Sequence, residues 1–515
     1  MNRGLTNKIV AQEVELKFDA DPGVPFPDLS GAADTVGEAT ESQLDATYFD
    51  TADTQLARHG ITLRRRTGGE DAGWHLKLPA GQDERTEVRL PLGRATSKVP
   101  APLAREVRAL VRNRPLVPVA KLHTTRFERR LLDADGKALA TVADDIVHAE
   151  RPTDGAVEVS TWREVEVELL DGDRSLLEAV GSRLRAAGLT RSASSSKLAR
   201  VLGDLPGPRR ATAPEATRRP GRATAGEVVL AHLREQVDQL ILRDRGARSD
   251  APDAVHQMRV ATRRLRSALA TYRPLMERER TDPVRDELKW LGHLLGGSRD
   301  AEVLHWRLQD LVAAQPAGTV LGPVGVRVDH ELQERHQAAN ADLVAALDSD
   351  RYLQLLDTLD DLLADPPLTA RAGEKAPKQL PGLVGRAAAR VDRAAQDVAE
   401  APTPAEHDHR LHEVRKAAKR ARYAAESVAP VAGKPARRLA KRMEALQDVL
   451  GEHQDSVTAQ ALVLELSVAA HLNGENGFTY GVMHAAERAR ASEARRAYPR
   501  ALRKASTAKA RRWTR

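Results

Sequence analysis

The sequence contains no cysteine, and this absence removes several kinds of site at once. Disulfide bonds, iron–sulfur clusters, thiolate zinc sites and a cysteine nucleophile are all excluded. Aromatic residues make up only 3% of the chain, so few side chains could stack on nucleic-acid bases. No run of about 18 apolar residues occurs, and the first residues lack the apolar core of a signal peptide. We therefore expect a soluble cytoplasmic protein without a membrane partner.

Charged residues are abundant, but the two signs are distributed unevenly. The 515 residues include 80 basic and 73 acidic side chains, a formal net charge of +7. Residues 1–204 hold 29 basic and 32 acidic side chains, so the positive excess belongs to the rest of the chain. Arginine (64) far outnumbers lysine (16). Guanidinium groups suit phosphate oxygens, although a GC-rich genome produces the same bias. The composition is compatible with a polyanionic partner and does not identify it.

The chain divides into regions of different sequence pattern. Residues 204–226 are rich in Pro, Gly, Ala, Thr and Arg and predict a linker. Before it, in 8–203, short alternating stretches predict strands with a few helices between them. After it, in 227–510, apolar residues at 3- and 4-residue spacing predict long helices. A second break near 365–382 would divide this helical region into halves at about 227–364 and 383–510.

The two helical halves resemble each other. The stretch VHQMRVATRRLRSAL at 255–269 aligns without gaps with LHEVRKAAKRARYAA at 411–425. Further along, LLGGSRDAEV at 294–303 aligns with VLGEHQDSVT at 449–458. In both copies a basic helix is followed by a Leu-Gly-x-x-x-Asp element. The sequence therefore predicts a duplicated helical bundle with pseudo-two-fold symmetry.

Several stretches of the N-terminal region alternate between charged and apolar residues. Glu13, Glu15 and Lys17, for example, occupy every second position, with apolar residues between them. A strand with this pattern has one charged and one apolar face. A solvated sheet surface explains any single strand, but charges of both signs on several strands favour a closed barrel with a charged interior. Such an interior could bind phosphoryl oxygens and a hard divalent cation together, for metal-assisted attack on a phosphoanhydride.

A series of elements in this region resembles, in order, the CYTH family of triphosphate tunnel metalloenzymes. The family's E-x-E-x-K motif is present as Glu13, Glu15 and Lys17. The later elements are YFDT at 48–51, LRRR at 63–66, WHLKL at 74–78, a strand with Arg126, ADD at 143–145, EVEVE at 164–168 and SSSK at 194–197. The resemblance covers roughly residues 8–203. It implies an α+β domain in which an antiparallel β-barrel, or tunnel, is flanked by helices.

The CYTH resemblance also implies roles for individual residues. The candidate catalytic residues are Glu13, Glu15, Lys17 and Glu166. The candidate ligands of substrate phosphates are Arg64, Arg66, Lys77, Arg126 and Lys197. The candidate ligands of Mg²⁺ or Mn²⁺ are Glu13, Glu15, Asp144, Glu166 and Glu168. Asp145 is placed as well as Asp144 for this role, and Glu164 is an alternative to Glu168.

Each basic helix of the C-terminal region combines an apolar seam with a basic stripe. The stripe follows the spacing of the seam one position later, about 100° around the helix. A solvated face usually mixes both signs of charge, but no acidic residue occurs in 256–266 or 414–425. Repulsion along such a stripe costs stability, so a bound polyanion is the better explanation. A histidine opens each stripe, and its contact with phosphate would strengthen on protonation.

These helices and the two Leu-Gly-x-x-x-Asp elements resemble the CHAD domain, a duplicated all-α bundle whose members bind inorganic polyphosphate. The resemblance covers about 227–510, and a CYTH domain followed by a CHAD domain is itself a known arrangement. Asp300 and Asp455 match each other, and we expect them to orient basic side chains. The candidate polyphosphate-binding residues are His256, Arg259, Arg263, Arg264, Arg266, His412, Arg415, Lys416, Lys419, Arg420 and Arg422.

Together the two resemblances predict a metal-dependent triphosphatase-type phosphohydrolase, with inorganic tripolyphosphate as the leading substrate. The C-terminal module would bind inorganic polyphosphate or direct the protein to polyphosphate granules. One alternative is a non-catalytic protein that binds triphosphate or polyphosphate. A nucleotide cyclase ranks lower, because nothing in the sequence indicates an adenine pocket. Nucleic-acid binding ranks last, because aromatic residues are few.

Overall fold

The computed structural model describes residues 8–81, 83–93, 98–153, 155–203, 205, 222–316 and 318–514. The chain forms two compact units, within 1–211 and 212–515. Most of the predicted linker, 204–226, lies outside the described residues. The strands of the first unit are β1 Ile9–Ala20, β2 Thr35–Val36, β3 Thr40–Asp50, β4 Thr62–Thr67, β5 Gly73–Gly81, β6 Glu84–Leu90, β7 Val117–Leu132, β8 Ala138–Thr153, β9 Ala156–Leu169 and β10 Thr190–Arg191.

Eight of the described strands form a closed antiparallel barrel in the order β1-β6-β5-β4-β3-β7-β8-β9. Strand β1 closes it, because its first half pairs with β6 and its second half with β9. Glu13 lies opposite Arg85, and Lys17 lies opposite Glu166. The short strands β2 and β10 add to β7 and β1. The predicted antiparallel barrel is confirmed.

Helices cover much of the apolar outside of the barrel. The helices of this unit are α1 Gln55–Arg58, α2 Ala101–Glu106, α3 Arg108–Val111, α4 Arg174–Ala186 and α5 Lys197–Leu202. Leu63 and Trp74 are buried with Leu103 of α2. Val165 is buried with Leu177 of α4 in a second core. Burying each large apolar side chain in this way stabilises the folded state by about 1.5–3 kcal/mol. The apolar faces of the strands therefore pack outward against the helices, and the charged faces point into the barrel.

Helix α5 packs against the inside of the barrel. Its Leu198 is buried with Leu122 and Trp162, which lie on the inward faces of β7 and β9. Ser196 caps the helix, because its hydroxyl accepts a hydrogen bond from the backbone N–H of Ala199 at 3.0 Å. These contacts close one end of the barrel with apolar side chains and bring the first turn of α5 to the charged interior.

The second unit is built from helices, with two isolated β-bridges. The helices are α6 Ala225–Arg248, α7 Ala254–Thr271, α8 Arg278–Ala313, α9 Val324–Leu347, α10 Asp350–Ala364, α11 Ala376–Ala399, α12 Pro404–Ser427, α13 Ala429–Ala432, α14 Lys434–Leu472, α15 Phe478–Ala505 and α16 Ala508–Arg511. Short 3₁₀ turns occur at Arg273–Leu275, Ala370–Gly373 and Arg512–Thr514. Across the described residues, no helix has the length and apolarity needed to cross a bilayer.

The duplication predicted from the sequence is visible in the helices. Helices α6, α7, α8 and α9 correspond to α11, α12, α14 and α15, and buried residues occupy matching positions, such as Met258 and Val414. Helix α10 lies between the copies in the chain. The second break is shorter than 365–382, because α11 begins at Ala376. A proline in the first turn of a helix costs no hydrogen bond, and Pro377 occupies that position.

Candidate functional site

The interior of the barrel is a polar cavity lined by residues from around the barrel and from α5. Every predicted barrel residue except Asp144 lines it. These residues are Glu13, Glu15, Lys17, Arg64, Arg66, Lys77, Arg126, Glu166, Glu168 and Lys197. They converge because period-two alternation places each of them on the inward face of its strand, while Lys197 lies in the first turn of α5.

One side of the cavity has an excess of positive charge. Arg64 donates from Nη1 to the Tyr48 hydroxyl at 3.3 Å, and Arg66 pairs with Asp71 on the turn after β4. Within the described part of the barrel, no other carboxylate lies within 4.0 Å of these two guanidinium groups. Burial and the charges of Arg64 and Arg126 lower the pKa of Arg66 to about 9. A bound anion would relieve this repulsion.

A second side of the cavity contains three closely spaced carboxylates. Asp145, Glu164 and Glu166 each have an oxygen within 4.8 Å of the other two. The ammonium group of Lys197 lies 2.8, 2.7 and 2.9 Å from them, respectively. Arg126 forms a bidentate pair with Asp145, at 2.8 and 2.7 Å. Burial opposes the ionisation of Glu166, but the surrounding lysine and arginine groups hold its pKa well below its usual range. Lys197, Arg126 and Lys17 therefore balance the negative charge of these three carboxylates, which we call the balanced group.

A third side brings several carboxylates close to one another, among them Glu13, Glu87 and Glu168. Lys77 lies 2.6 Å from Glu13. Burial raises the pKa of Glu13 to about 7, and the nearby Glu87 and Glu168 add to this rise while Lys77 opposes it. Burial and neighbouring carboxylates also raise the pKa of Glu168. A divalent cation would be stabilised beside Glu168, because no basic group of the described barrel lies within 4.0 Å of this carboxylate.

The available ligands suit a hard divalent metal ion. Mg²⁺ and Mn²⁺ prefer carboxylate oxygens, and both acidic groups offer them. Lys197 already lies among the oxygens of the balanced group. Glu13 and Glu168 belong to the other side of the cavity and fit an added cation better, because their pKa values are raised. Glu15 also lines the cavity, but Lys17 and Arg85 already pair with it.

Asp144 does not line the cavity, and the structure contradicts its predicted placement there. Its carboxylate accepts hydrogen bonds from Nε and Nη2 of Arg163, each at 2.8 Å, on the other face of β8. Asp145 is fully buried and pairs with Arg126. Consecutive residues of a strand face opposite ways, so only one of the two can reach the interior. That residue is Asp145; Glu164, the alternative to Glu168, also faces inward together with it.

Strand β6 supplies functional groups that the sequence analysis missed. Arg85 pairs with Glu15 at 3.3 Å, and Arg89 pairs with Glu13 at 3.2 Å. Glu87, between them, is fully buried. The sequence contained a signal for these residues, because Arg85, Glu87 and Arg89 occupy every second position, as the motif residues of β1 do.

The basic helices α7 and α12 of the second unit pack against each other and combine part of their stripes. Arg259 and Arg263 from α7 meet Arg415 and Lys419 from α12, and we call these four residues the central basic cluster. Burial and the charges of its three arginines lower the pKa of Lys419 to about 7, while Asp455 opposes this shift. Burial also lowers the pKa of Arg263, and Arg259 and Arg415 add to that effect. The cluster therefore favours an anionic ligand.

The other predicted residues of the basic helices fall into separate environments. The pKa of His256 is lowered by burial and by neighbouring arginines, and that of His412 by burial and nearby cations. Lys416 pairs with Glu413 on its own helix. Arg264 and Arg422 share Glu426, at 3.0 and 2.7 Å. Arg266 and Arg420 lie together, near Arg285 and Arg390. The structure does not bring all eleven residues into one cluster.

The two Leu-Gly-x-x-x-Asp elements lie against the arginines of the central basic cluster. Arg259 donates from Nη1 to Oδ1 of Asp300 at 2.7 Å, as expected for a residue that orients it. A Cβ atom at Gly296 would lie 3.6 Å from Nη2 of Arg259, and one at Gly451 would lie 3.2 Å from Nη2 of Arg415. These glycines let both guanidinium groups lie close to the helix backbone, a role that was not predicted from the sequence.

Comparisons with known proteins agree with this architecture. The CYTH domain family matches residues 11–202, and the CHAD domain family matches residues 231–464. Uncharacterized protein MT2285 of Mycobacterium tuberculosis is 40% identical over 509 residues, which are 96% of each chain.

Among solved structures, PptA from Streptomyces chartreusis is 22% identical, with a TM-score of 0.47, and covers 55% of this chain and 100% of its own. The CHAD domain from the plant Ricinus communis is 25% identical, with a TM-score of 0.44, and covers 55% of this chain and 92% of its own. CYTH domains are metal-dependent and belong to a superfamily with triphosphatase and cyclase activity. The chain belongs to the family of proteins in which a CYTH domain is followed by a CHAD domain.

Proposed function

We propose that the barrel is a metal-dependent triphosphatase whose leading substrate is inorganic tripolyphosphate, and that the helical unit binds inorganic polyphosphate. The observation that carries the first part is the environment of Arg66. This guanidinium is only 4% exposed, lies near Arg64 and Arg126, and has a lowered pKa. A triphosphate would supply the negative charge that this side of the cavity lacks.

The cations of the cavity suggest how the substrate would be held. Arg64 and Arg66 would bind oxygens of one phosphoryl group through their guanidinium forks, and Asp71 would give up its contact with Arg66. Arg126 and Lys197 would contact a second phosphoryl group from the balanced acidic side. Because these groups come from separate elements of a closed barrel, they would hold the phosphate chain in a defined orientation.

The carboxylates would position the attacking water. Mg²⁺ or Mn²⁺, when bound, supplies charge neutralisation on the phosphate oxygens. Glu13, Glu15 and Glu168 would hold the ion. The pKa of Glu13 is raised to about 7 in the absence of metal. Beside a bound cation this pKa would fall and the carboxylate would stay ionised, so that a free carboxylate oxygen could accept a hydrogen bond from the attacking water. Lys17 lies between Glu15 and Glu166 and would keep both carboxylates in place.

Phosphate release from a small panel of substrates tests the catalytic proposal. We expect the protein to release phosphate from tripolyphosphate with Mg²⁺ or Mn²⁺ and to lose this activity in EDTA. Glu13→Gln should lower the rate at least 100-fold. If no member of a panel of tripolyphosphate, pyrophosphate and ATP is turned over, the barrel is a binding domain. Formation of cyclic AMP from ATP would instead identify a cyclase.

The central basic cluster supports the proposal for the helical unit. Its four cations come from two helices, and the pKa values of Arg263 and Lys419 are lowered by burial and mutual repulsion. A phosphate chain presents one negative charge per phosphoryl unit and would bridge such a cluster. Competition between DNA and polyphosphate at fixed salt tests the preference, because any polyanion gains some affinity from counterion release. We expect polyphosphate to compete at least tenfold better, and the same contact would recruit the protein to polyphosphate granules in the cytoplasm.

A further inference from the structure

A second basic pocket lies in the helical unit, outside the central basic cluster. It is formed where the end of α7 and the start of α8 meet α11 and α12. Ala270, Pro274 and Leu383 are among its apolar residues. Its basic residues are Arg273, Arg278, Arg386, Arg390 and Arg420. We call this site the flank pocket.

The arginines of the flank pocket have little compensating negative charge. Across 222–316 and 318–514, no carboxylate lies within 4.0 Å of the guanidinium groups of Arg386, Arg390 and Arg420. The same is true of Arg266, which is a neighbour of Arg420 but does not line the pocket. Burial lowers the pKa of Arg420, and the charges of Arg390, Arg285 and Arg266 add to this effect. The nearest acidic residues are Asp282 and Asp286. Asp282 is shared by Arg273 and Arg285, and Asp286 faces Arg266.

The corresponding place in the other repeat copy has a carboxylate at its centre. In the alignment that matches Met258 with Val414, Arg264 corresponds to Arg420 and Arg266 corresponds to Arg422. Glu426 bridges Arg264 and Arg422, at 3.0 Å from the first and 2.7 Å from the second. In this copy, therefore, a protein carboxylate neutralises the two equivalent arginines.

The two carboxylates that pair with Arg422 in the other copy have no acidic equivalent at the flank pocket. The alignment that pairs Met258 with Val414 puts Ala270 in the position of Glu426, and Ala270 lines the pocket. Aligning the buried Leu288 with Met443 puts Lys289 in the position of Glu444, which pairs with Arg422 at 2.8 Å.

Helix α11 extends the same trend. Aligning the buried Leu233 with Val384 puts Arg386 in the position of Glu235. Arg390 takes the position of Gln239. Both copies have the two arginines, but within the described residues a carboxylate lies within 4.0 Å of them only in the copy with Glu426 and Glu444.

We propose that the flank pocket is a second anion-binding site, which takes a phosphoryl group where the other copy has the Glu426 carboxylate. One phosphoryl group would bridge Arg266 and Arg420. The next group of the same chain would reach Arg386 and Arg390, so the ligand class is an oligophosphate or a segment of inorganic polyphosphate. This site is separate from the barrel and from the central basic cluster. It rests on the proposal that the helical unit binds polyphosphate and deepens it, by assigning the candidates Arg266 and Arg420 to a second site with Arg386 and Arg390.

The test places a carboxylate in the flank pocket of the full-length protein. Ala270→Glu should set a carboxylate between Arg266 and Arg420, as Glu426 lies between Arg264 and Arg422. Inorganic tripolyphosphate is the probe, in EDTA so that turnover is prevented. Protection of Arg386 and Arg390 from an arginine-modifying dicarbonyl, followed by mass spectrometry, reports on this pocket alone. We expect the tripolyphosphate concentration for half-protection to rise at least tenfold in Ala270→Glu.

Ala270→Gln is the matched control, because it adds nearly the same volume without a charge. We expect its half-protection concentration to change less than threefold. Equal half-protection in wild type and Ala270→Glu would overturn the proposal, as would the absence of protection in wild type. If Ala270→Glu does not fold, Arg420→Ala serves instead, with protection of Arg386 and Arg390 as the readout.

The same measurements separate this proposal from the function proposed above. Arg263→Ala with Lys419→Ala should weaken binding at the central basic cluster and leave the protection of Arg390 unchanged. Phosphate release by the barrel should be the same in wild type and Ala270→Glu. A protein that released no phosphate but showed protection that Ala270→Glu removes would refute the catalytic proposal and support the flank pocket.

Discussion

The barrel interior and the central basic cluster both gather cations, but they differ in how those cations are compensated. In the barrel, Lys197 lies within 2.9 Å of three carboxylates, and Arg126 pairs with Asp145. In the helical unit, Arg263 and Lys419 face mainly other cations. A site with both signs of charge can hold phosphate and metal together and can move a proton. A site in which cations predominate favours an anionic ligand.

The largest effect is expected from the phosphate-facing side of the barrel. Arg64→Ala should lower the rate of tripolyphosphate hydrolysis about 100- to 1,000-fold, the range seen when a donor to a developing charge is removed. Polyphosphate binding by the helical unit should not change. Arg65→Ala is the matched control, because Arg65 is the next residue of β4 and faces away from the cavity. Equal losses in Arg64→Ala and Arg65→Ala would contradict the assignment.

Asp144 and Asp145 offer a test at adjacent positions. Asp145→Asn removes a buried partner of Arg126 and Lys197, which should cost about 3–5 kcal/mol of stability and lower the rate at least tenfold in the protein that remains folded. Asp144→Asn weakens the pair with Arg163 outside the cavity and should leave the rate within threefold of wild type. Thermal denaturation and phosphate release measure both effects. A larger rate loss in Asp144→Asn than in Asp145→Asn would contradict the assignment of Asp145 to the cavity.

Removing charges from the central basic cluster should affect binding alone. Arg263→Ala combined with Lys419→Ala should weaken polyphosphate binding roughly tenfold and reduce its dependence on salt, because fewer counterions are released. Titrations at two or more salt concentrations measure this. The rate of tripolyphosphate hydrolysis should stay constant. A parallel fall in that rate would refute the proposal that the barrel hydrolyses tripolyphosphate independently of polyphosphate binding by the helical unit.

Polyphosphate binding by the helical unit should depend on pH. The pKa of Lys419 is lowered to about 7, and burial lowers the pKa values of His256 and His412 as well. The protonated form of Lys419 binds anions, so polyphosphate affinity should fall several-fold as pH rises from 6 to 8.5. The two histidines lose their charge at lower pH than an ordinary histidine and contribute less in this range. Lys419→Arg should make this fall shallower, since arginine keeps its charge in that range. An affinity independent of pH would contradict the contribution of Lys419.

The smallest effect is expected at the glycines under the basic cluster. Gly451→Ala places a Cβ atom 3.2 Å from Nη2 of Arg415, so the guanidinium must shift slightly, and polyphosphate affinity should fall about twofold. Gly481→Ala is the control, because no atom lies within 4 Å of its added Cβ. It should instead stabilise helix α15 by about 0.5–1 kcal/mol without changing affinity. Unchanged affinity in Gly451→Ala would show that this close approach has no effect on binding.

Much of the barrel site could be predicted, because period-two alternation is a local property of each strand. It identified Glu13, Glu15 and Lys17 as residues of one face. It did not decide between Asp144 and Asp145, because a run of two acidic residues fits either alternation. The charged residues of strand β6 were not assigned to the site although they alternate too, since they belong to none of the matched family elements.

The helical unit shows a different limit. Helical spacing correctly placed Met258 and Val414 in buried seams, and the repeat was recognised from sequence. The stripes were treated as one surface, whereas the structure separates the central basic cluster from the pair Arg266 and Arg420. Which cations meet depends on how α7 and α12 pack, and helical spacing contains no information on that packing.

The sequence by itself therefore determined the classes of structure, the duplication and the faces on which charges lie, because these follow from local periodicity. Only the tertiary structure decided that β1 pairs with both β6 and β9 and that Asp145 reaches Lys197. It also decided that Glu426 lies between two arginines, with Ala270 in the corresponding position of the other copy. These are contacts between residues far apart in the chain, and their electrostatic balance arises only when folding brings them together.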